Sequence, residues 1–328
     1  MVRTGNYTAE WIHNDTERIA WTFYNIIILL SSLLGDTVIL VATIKYKAIT
    51  LNRVIIVIIQ HLAVSDLLLS VFRILPSVIS LLAQGWVFGR FLCLLQTNVT
   101  WLCFCVTGGL TMCLAAFKFL SVKYPFQSIT WNGQFGHVVC AIVWAVSLLT
   151  PYRVIHIFFT ATDSIHFSYF YYSCDYDMTL THAPIWLNWV ALIHMITCVV
   201  VSYAILILSS TFLLLEARKT AKRHGQRLRW KGLLTVPLIV LVYVISTAFW
   251  LFAEVTKHVI HFSPAVWRSI SFLMNLNIMA NFFIYSLTVT SFRKFLVIKF
   301  LTFISPSPPL RRQIRNHVTA DRMACTRL

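Results

Sequence analysis

From Phe91 to Phe117 the chain reads FLCLLQTNVTWLCFCVTGGLTMCLAAF and carries no charged side chain. Coiled as an α-helix, these 27 residues reach roughly 40 Å at ~1.5 Å per residue, enough to cross a hydrocarbon core of ~30 Å with tilt. Gln96, Thr97, Asn98, Thr100, Thr107 and Thr111 would sit poorly against lipid, so they are expected to face other helices. The stretch therefore reads as a central spanning helix with neighbours on most sides. Cys93 stands near its start, and Lys118 with a Pro125-containing exit stands at its end.

The rest of the chain agrees. Hydrophobic residues make up 58% and charged residues only 12%, where a soluble domain carries about 25% charge. The expected fold is an all-α membrane protein of one domain. Seven apolar segments follow one another, at about 21–44, 54–83, 91–117, 137–159, 185–215, 232–256 and 265–289. Short basic or polar breaks separate them, except for one longer loop near 160–184. No inverted repeat of the transporter kind is visible. The first twenty residues hold no apolar core of a cleaved signal peptide, so the first span is expected to act as its own anchor.

Lysine and arginine set the orientation. The first loop holds three (Lys45, Lys47, Arg53), the third two, the fifth seven and the tail beyond Ser291 eight, against six in the N-terminus and the remaining loops. This bias predicts a plasma-membrane protein with its N-terminus extracellular and its C-terminus cytoplasmic. The net charge of +16 is then a topology signal, and no nucleic-acid partner is implied. Two sequons, at Asn6 and Asn14, fall in the expected outside tail of residues 1–20 and mark it as glycosylated. Of eight cysteines, only Cys93 and Cys174 lie in or beside the expected outside loops, where an oxidising exterior would pair them.

Seven helices, an outside N-terminus and this cysteine pair resemble the rhodopsin-like G-protein-coupled receptors. The resemblance spans roughly residues 20–303. It is carried by Gly35-Asp36, LAVSD ending at Asp66, Trp86-Val87-Phe88-Gly89 before Cys93, Trp144, Tyr203, and NFFIY from Asn281 to Tyr285. It implies a seven-transmembrane helix bundle (21–290), a short amphipathic eighth helix lying on membrane lipid (291–303) and a disordered basic tail (304–328). The departures are equally plain. Phe117-Lys118-Phe119 stands where the family has Asp-Arg-Tyr, Met195 where helix five usually has a proline, and Phe282 where helix seven does. In helix six, Thr247 and Phe249 occupy the usual tryptophan and proline positions.

Ionisable groups inside a bilayer are costly and point to function. By resemblance, Asp66, Thr107, Asn277 and Asn281 would line a polar core holding sodium, with Asp36 replacing an asparagine beside it. Two carboxylates in one low-dielectric site do not both ionise unless a cation lies between them; two neutral acids packed as glue are the plainer alternative. At the cytoplasmic end the resemblance assigns G-protein coupling to Phe117, Lys118, Phe119, Tyr203, Arg229 and Tyr285. Lysine lacks the donor fork of arginine, and Phe117 and Arg229 offer no acid to restrain it.

Retinal and monoamine ligands are disfavoured, because Asn275 and Thr100 stand where opsins carry lysine and amine receptors carry aspartate. The candidate ligand pocket is Thr100, Trp101, Phe104, Thr247, Trp250, Glu254, Arg268 and Asn275. Between helices four and five, Thr162-Asp163-Ser164 is the expected turn of a β-hairpin whose returning strand holds Cys174. Such a hairpin, with acidic residues at Asp163, Asp175, Asp177, Glu10, Asp15 and Glu17, suggests a basic peptide ligand. Thr326-x-Leu328 fits a PDZ-type carboxylate motif. No GxSxG, HExxH or GxGD motif occurs, so no enzyme is expected and no cofactor beyond the sodium ion. The readings that compete with a coupling receptor are a receptor-like decoy or scaffold and, less favoured, a transporter.

Overall fold

The structure, a computed structural model, describes residues 15–45, 52–149, 165–168, 173–176, 185–223, 230–256, 263–289, 292–293 and 295–296. The described helices are α1 (Asp15–Lys45), α2 (Arg53–Leu69), α3 (Leu75–Leu82), α4 (Gly89–Lys123), α5 (Pro125–Thr130), α6 (Gly133–Leu148), α7 (Ile185–Arg223), α8 (Trp230–Thr256) and α9 (Pro264–Thr288). Two short strands, β1 (Ile165–Ser168) and β2 (Ser173–Tyr176), lie between α6 and α7. Six spans among the described residues are long and apolar enough to cross a membrane, and the shorter apolar helix Gly133–Leu148 falls in the fourth expected segment. The protein is a multi-pass membrane protein, with helices where the seven apolar segments place them.

α4 is the hub. It packs against α2, α6, α7 and α8, and β2 also rests on it. Gln96, Thr97, Thr107 and Thr111 are all buried along it, as expected for polar residues turned from lipid. Side-chain caps fix two helix starts. The Asn52 carboxamide oxygen accepts from the Val54 amide at 3.0 Å, and the Asn132 oxygen accepts from the Phe135 amide at 2.8 Å, each satisfying an orphan donor.

The second span is not one uniform helix. α2 and α3 are joined by a π-helical stretch, Ser70–Ile74, in which the Leu75 amide donates to the Ser70 carbonyl. Pro76 follows directly; it lacks an amide hydrogen, and its ring would crowd the carbonyl four residues back in a regular helix. The wider turn relieves that crowding.

At Gly35, α1 and α9 come into close contact. A Cβ there would stand 2.7 Å from Phe282 Cβ, the stem of the side chain, which no rotamer change can withdraw. Gly35→Ala should therefore force the helices apart and cost about 1–3 kcal/mol, read as a lower melting temperature of the purified protein.

The hairpin forms, but its turn differs from expectation. The register pairs Ser168 with Ser173 and Ile165 with Tyr176, so the reversal lies between 168 and 173 rather than at Thr162-Asp163-Ser164. Turn propensity is local, whereas β2 is fixed from outside by the Cys93–Cys174 disulfide, and β1 pairs from that anchor. Phe292 and Phe295 are helical and buried, joining the core around Phe282. The remainder of 291–303, the sequons at Asn6 and Asn14, Arg229, Asp163, Asp177, Glu10, the tail of 304–328 and its Thr326-x-Leu328 end lie outside the described residues.

Candidate functional site

Near the Cys93 end of the bundle, α4 and α8 leave a cavity of about 50 Å³. Four of the expected pocket residues line it: Thr100, Trp101, Phe104 and Trp250. The three aromatics meet as a box, with ring centroids 5.3 Å apart for Trp101–Trp250, 5.6 Å for Phe104–Trp250 and 6.0 Å for Trp101–Phe104. β2 contributes Ser173 and Cys174 to the wall. Gln96, fully buried, ties this wall together: its oxygen accepts from the Cys174 amide at 2.9 Å, and its nitrogen donates to the Arg73 carbonyl at 3.3 Å.

Five lining residues were not foreseen as pocket: Arg73, Thr97, Ser173, Cys174 and Met274. The available signal was Arg73, a charge within an apolar span. Three foreseen residues are engaged elsewhere. Arg268 and Asn275, seven residues apart and so on one face of α9, turn toward α1. Arg268 pairs with Glu17 at 2.5 Å, and Asn275 donates to Asn25 at 3.3 Å. Between them Phe272 stacks on Tyr24 at 4.2 Å, and its carbonyl accepts from the Tyr24 hydroxyl at 2.7 Å. Thr247 is buried below the cavity, where it meets the Tyr203 hydroxyl and donates to the Tyr243 carbonyl at 2.6 Å. Glu254 stands on α8, with its side chain outside the described residues. Asp15 is likewise engaged, by Arg18 at 2.8 Å.

Tyr203, expected among the G-protein-coupling residues, stands well away from Lys118. Its ring lies 6.5 Å from Tyr243, which lies 6.4 Å from Phe104 of the cavity wall. Phe104 and Lys118 are fourteen residues apart on α4, about 21 Å along a helix. Tyr203 thus belongs to mid-bundle. α7 is apolar all round near Tyr203, and no periodicity could set its register from sequence.

Deeper in the bundle, two acidic residues are buried. Asp66 accepts from Asn281 at 2.7 Å, and Asp36 accepts from Ser32 at 2.6 Å, with Ser70 donating to Ser32 at 2.6 Å. The two carboxylates interact electrostatically, and both act on Tyr285. One oxygen of each acid and the Tyr285 hydroxyl are buried without a hydrogen-bond partner among the described residues. Oxygen-only donors with orphaned atoms fit a small hard cation or a proton. Thr107 is at the margin, 3.1 Å from Ser65, and Asn277 is half-buried on α9.

At the other end of α4, Lys118 is half-buried, and among the described residues its ammonium has no ion-pair partner. Phe117 packs edge-on against Trp131 at 5.4 Å and Phe135 at 5.8 Å, and Phe119 meets Phe212 at 6.2 Å. The acid that would restrain a cation here is replaced by aromatic packing against α6.

Residues 35–285 match the family described as 7 transmembrane receptor (rhodopsin family). Individual relatives are distant. Among them, a D(5)-like dopamine receptor of Takifugu rubripes is 25% identical over 162 residues, 48% of this chain and 34% of the relative. The annetocin receptor of Eisenia fetida is 25% identical over 147 residues, 44% of this chain and 34% of its own length. A short-wave-sensitive opsin 1 of Saimiri boliviensis boliviensis is 27% identical over 124 residues, 37% and 34%. The chain spans about a third of the length of these curated relatives.

Proposed function

Because the chain belongs to the rhodopsin family of seven-transmembrane receptors, we propose that it binds an extracellular ligand in the cavity beneath the disulfide-anchored hairpin and activates a heterotrimeric G protein. The observation that carries this reading is a continuous column of packed side chains. Trp101, Phe104 and Trp250 wall the cavity, Phe104 abuts Tyr243, and Tyr243 abuts Tyr203, which is bonded to Thr247. A ligand that displaces Trp250 would move α8, and Tyr243 would press on Gly108 of α4, where there is no room for even a Cβ. Trp250 then serves as the moving part, one turn above the position where the family's tryptophan is missing.

In this reading the Cys93 end faces outside and the Lys118 end faces the cytoplasm, as the basic loops require. The ligand is a peptide. A hairpin lid of the kind the resemblance implies would leave the cavity mouth open beside it, and Asp163, Asp175 and Asp177 would supply charge to steer a basic segment inward. Glu17 and Asp15 contribute less, being paired with arginines. The Asp36–Asp66 core holds sodium or a proton, Lys118 meets the G protein, and the C-terminus takes a PDZ partner.

The test is a peptide screen read out by G-protein dissociation in cells. An unrestrained Lys118 should give basal signalling, while the missing donor fork weakens coupling. Phe117→Asp combined with Lys118→Arg should lower the basal level and raise the evoked maximum several-fold. Complete silence of both the native chain and the double variant would favour a decoy, a reading motivated by the aromatic packing around Phe117.

A further inference from the structure

Among the described residues, those lining the cavity are aromatic, hydroxyl, sulfur-bearing or, in one case, cationic, and none is acidic. The cation is Arg73, half-buried in the π-helical stretch between α2 and α3. Arginine inside an apolar span is expensive, and where it faces the bundle interior it marks a ligand path or a structural partner. Here Arg73 is one of the residues that line the cavity.

Its backbone is unusually well held. The Arg73 carbonyl accepts from Ser77 Oγ at 2.8 Å and from Gln96 at 3.3 Å, and Gln96 in turn holds the Cys174 amide of β2. The disulfide-anchored strand, the α4 hub and the π stretch are thereby tied together at the Arg73 backbone carbonyl. Thr100 adds a hydroxyl to the same wall, and the box of Trp101, Phe104 and Trp250 closes the other side.

We infer that the cavity takes a ligand bearing a carboxylate set next to an aromatic or flat apolar group, with Arg73 holding the carboxylate and the Trp101–Phe104–Trp250 box holding the ring. This rests on the cavity being the ligand site, as in the proposed function. A guanidinium has five N–H donors in a fixed fork, so it can grip a carboxylate bidentately beside the other contacts it makes. The desolvated setting strengthens that grip, and large aromatic faces suit a planar apolar partner. The charge sought inside the cavity is thus opposite to the charge the acidic hairpin would steer. A peptide with basic residues and a C-terminal aromatic acid satisfies both; a free aryl carboxylic acid satisfies the cavity alone.

The experiment uses the full chain in lipid nanodiscs and reads melting temperature. The probes are 3-phenylpropionate, indole-3-acetate and the tripeptide Gly-Gly-Phe, each beside its neutral amide. Free acids should raise the melting temperature by several degrees at millimolar concentration, and their amides should not. Stabilisation by the tripeptide acid beyond the small acids would place the carboxylate on a peptide terminus; the reverse would place it on a small organic acid.

Arg73→Lys should weaken the acids at least tenfold and Arg73→Gln should abolish the shift, with surface expression and disulfide content checked in both. Acids and amides that act alike, or that both leave melting unchanged, would overturn the inference on the native protein alone, whatever the variants do. So would an Arg73→Gln receptor that binds the acids as well as the native one. The readout needs no G protein. Binding without coupling would therefore count against the proposed signalling only, and coupling driven by ligands without a carboxylate would count against this inference only.

Discussion

A receptor carrying Cys93→Ala should melt roughly 3–7 °C below the native protein and lose ligand binding in the cavity. The bond it removes joins the start of α4 to β2 across a sequence separation of 81 residues. Loss of a native disulfide typically costs about 2–5 kcal/mol, part of it from the freedom returned to the unfolded chain. At about 2.1 cal/mol/K of unfolding entropy per residue, each kcal/mol lowers the midpoint of a chain of this size by about 1.5 °C. The local consequence is larger than the global one. Without the bond, the hydrogen bond from the Cys174 amide to Gln96 is left to hold β2 on the cavity wall, and a single such bond contributes only about 1 kcal/mol. The Cys93→Ala, Cys174→Ala double variant should match the single one, which separates loss of the bridge from harm done by a free thiol. Equal melting of native and variant proteins, with and without reductant, would refute this account of the wall.

Exchanging sodium for choline should lower the melting temperature of the purified receptor, and Asp66→Asn should erase the difference. Asp36 and Asp66 are buried, each with an orphaned oxygen, beside the orphaned Tyr285 hydroxyl. A cation bound only by the folded state at a concentration 100 times its dissociation constant adds about 2.7 kcal/mol. Asparagine at 66 keeps the shape and removes the charge, so Asn281 retains a neighbour while the cation loses a ligand. Protons compete for the same oxygens, so the sodium effect should fade as pH falls. Asp36→Asn should weaken it as well, since both carboxylates bear on the site. Identical melting in both salts at every pH would leave two acids acting as packing glue.

Much of this was legible in the sequence, for a specific reason. Charges are so sparse in the spans that each one stands out, which made the seven segments, the hub helix, the Asp36–Asp66 core and the cysteine pair readable without coordinates. What failed was rotation and register. Nothing in the composition of α9 tells which face meets α1, as that of Arg268 and Asn275 does, and which meets the cavity; Met274, one residue before Asn275, takes the cavity side. The height of Tyr203 in the bundle was not legible, because its helix is apolar all round there and has Met195 where a proline would align it. The hairpin turn was misjudged because the disulfide, acting across the fold, outweighed local turn propensity. In the sequence Arg73 is only a charge inside an apolar span; its backbone setting depends on a hydrogen-bond pattern that no residue type announces, with Pro76 as the one hint.

The π-helical stretch has a consequence for how this chain is compared with others. One residue in an α-helix advances the chain by about 100°, and a π turn absorbs one residue more than an α turn does. Asp66 and Leu82 therefore do not share a single helical wheel. Counting from Asp66 across Ser70–Ile74 at 3.6 residues per turn assigns Leu75–Leu82 to faces about 100° from those they occupy. A pocket role carried over from a relative with an unbroken second helix must be shifted by one residue beyond Ile74. Deleting a single residue from the stretch would turn α3 as a unit and present a different set of side chains to the cavity.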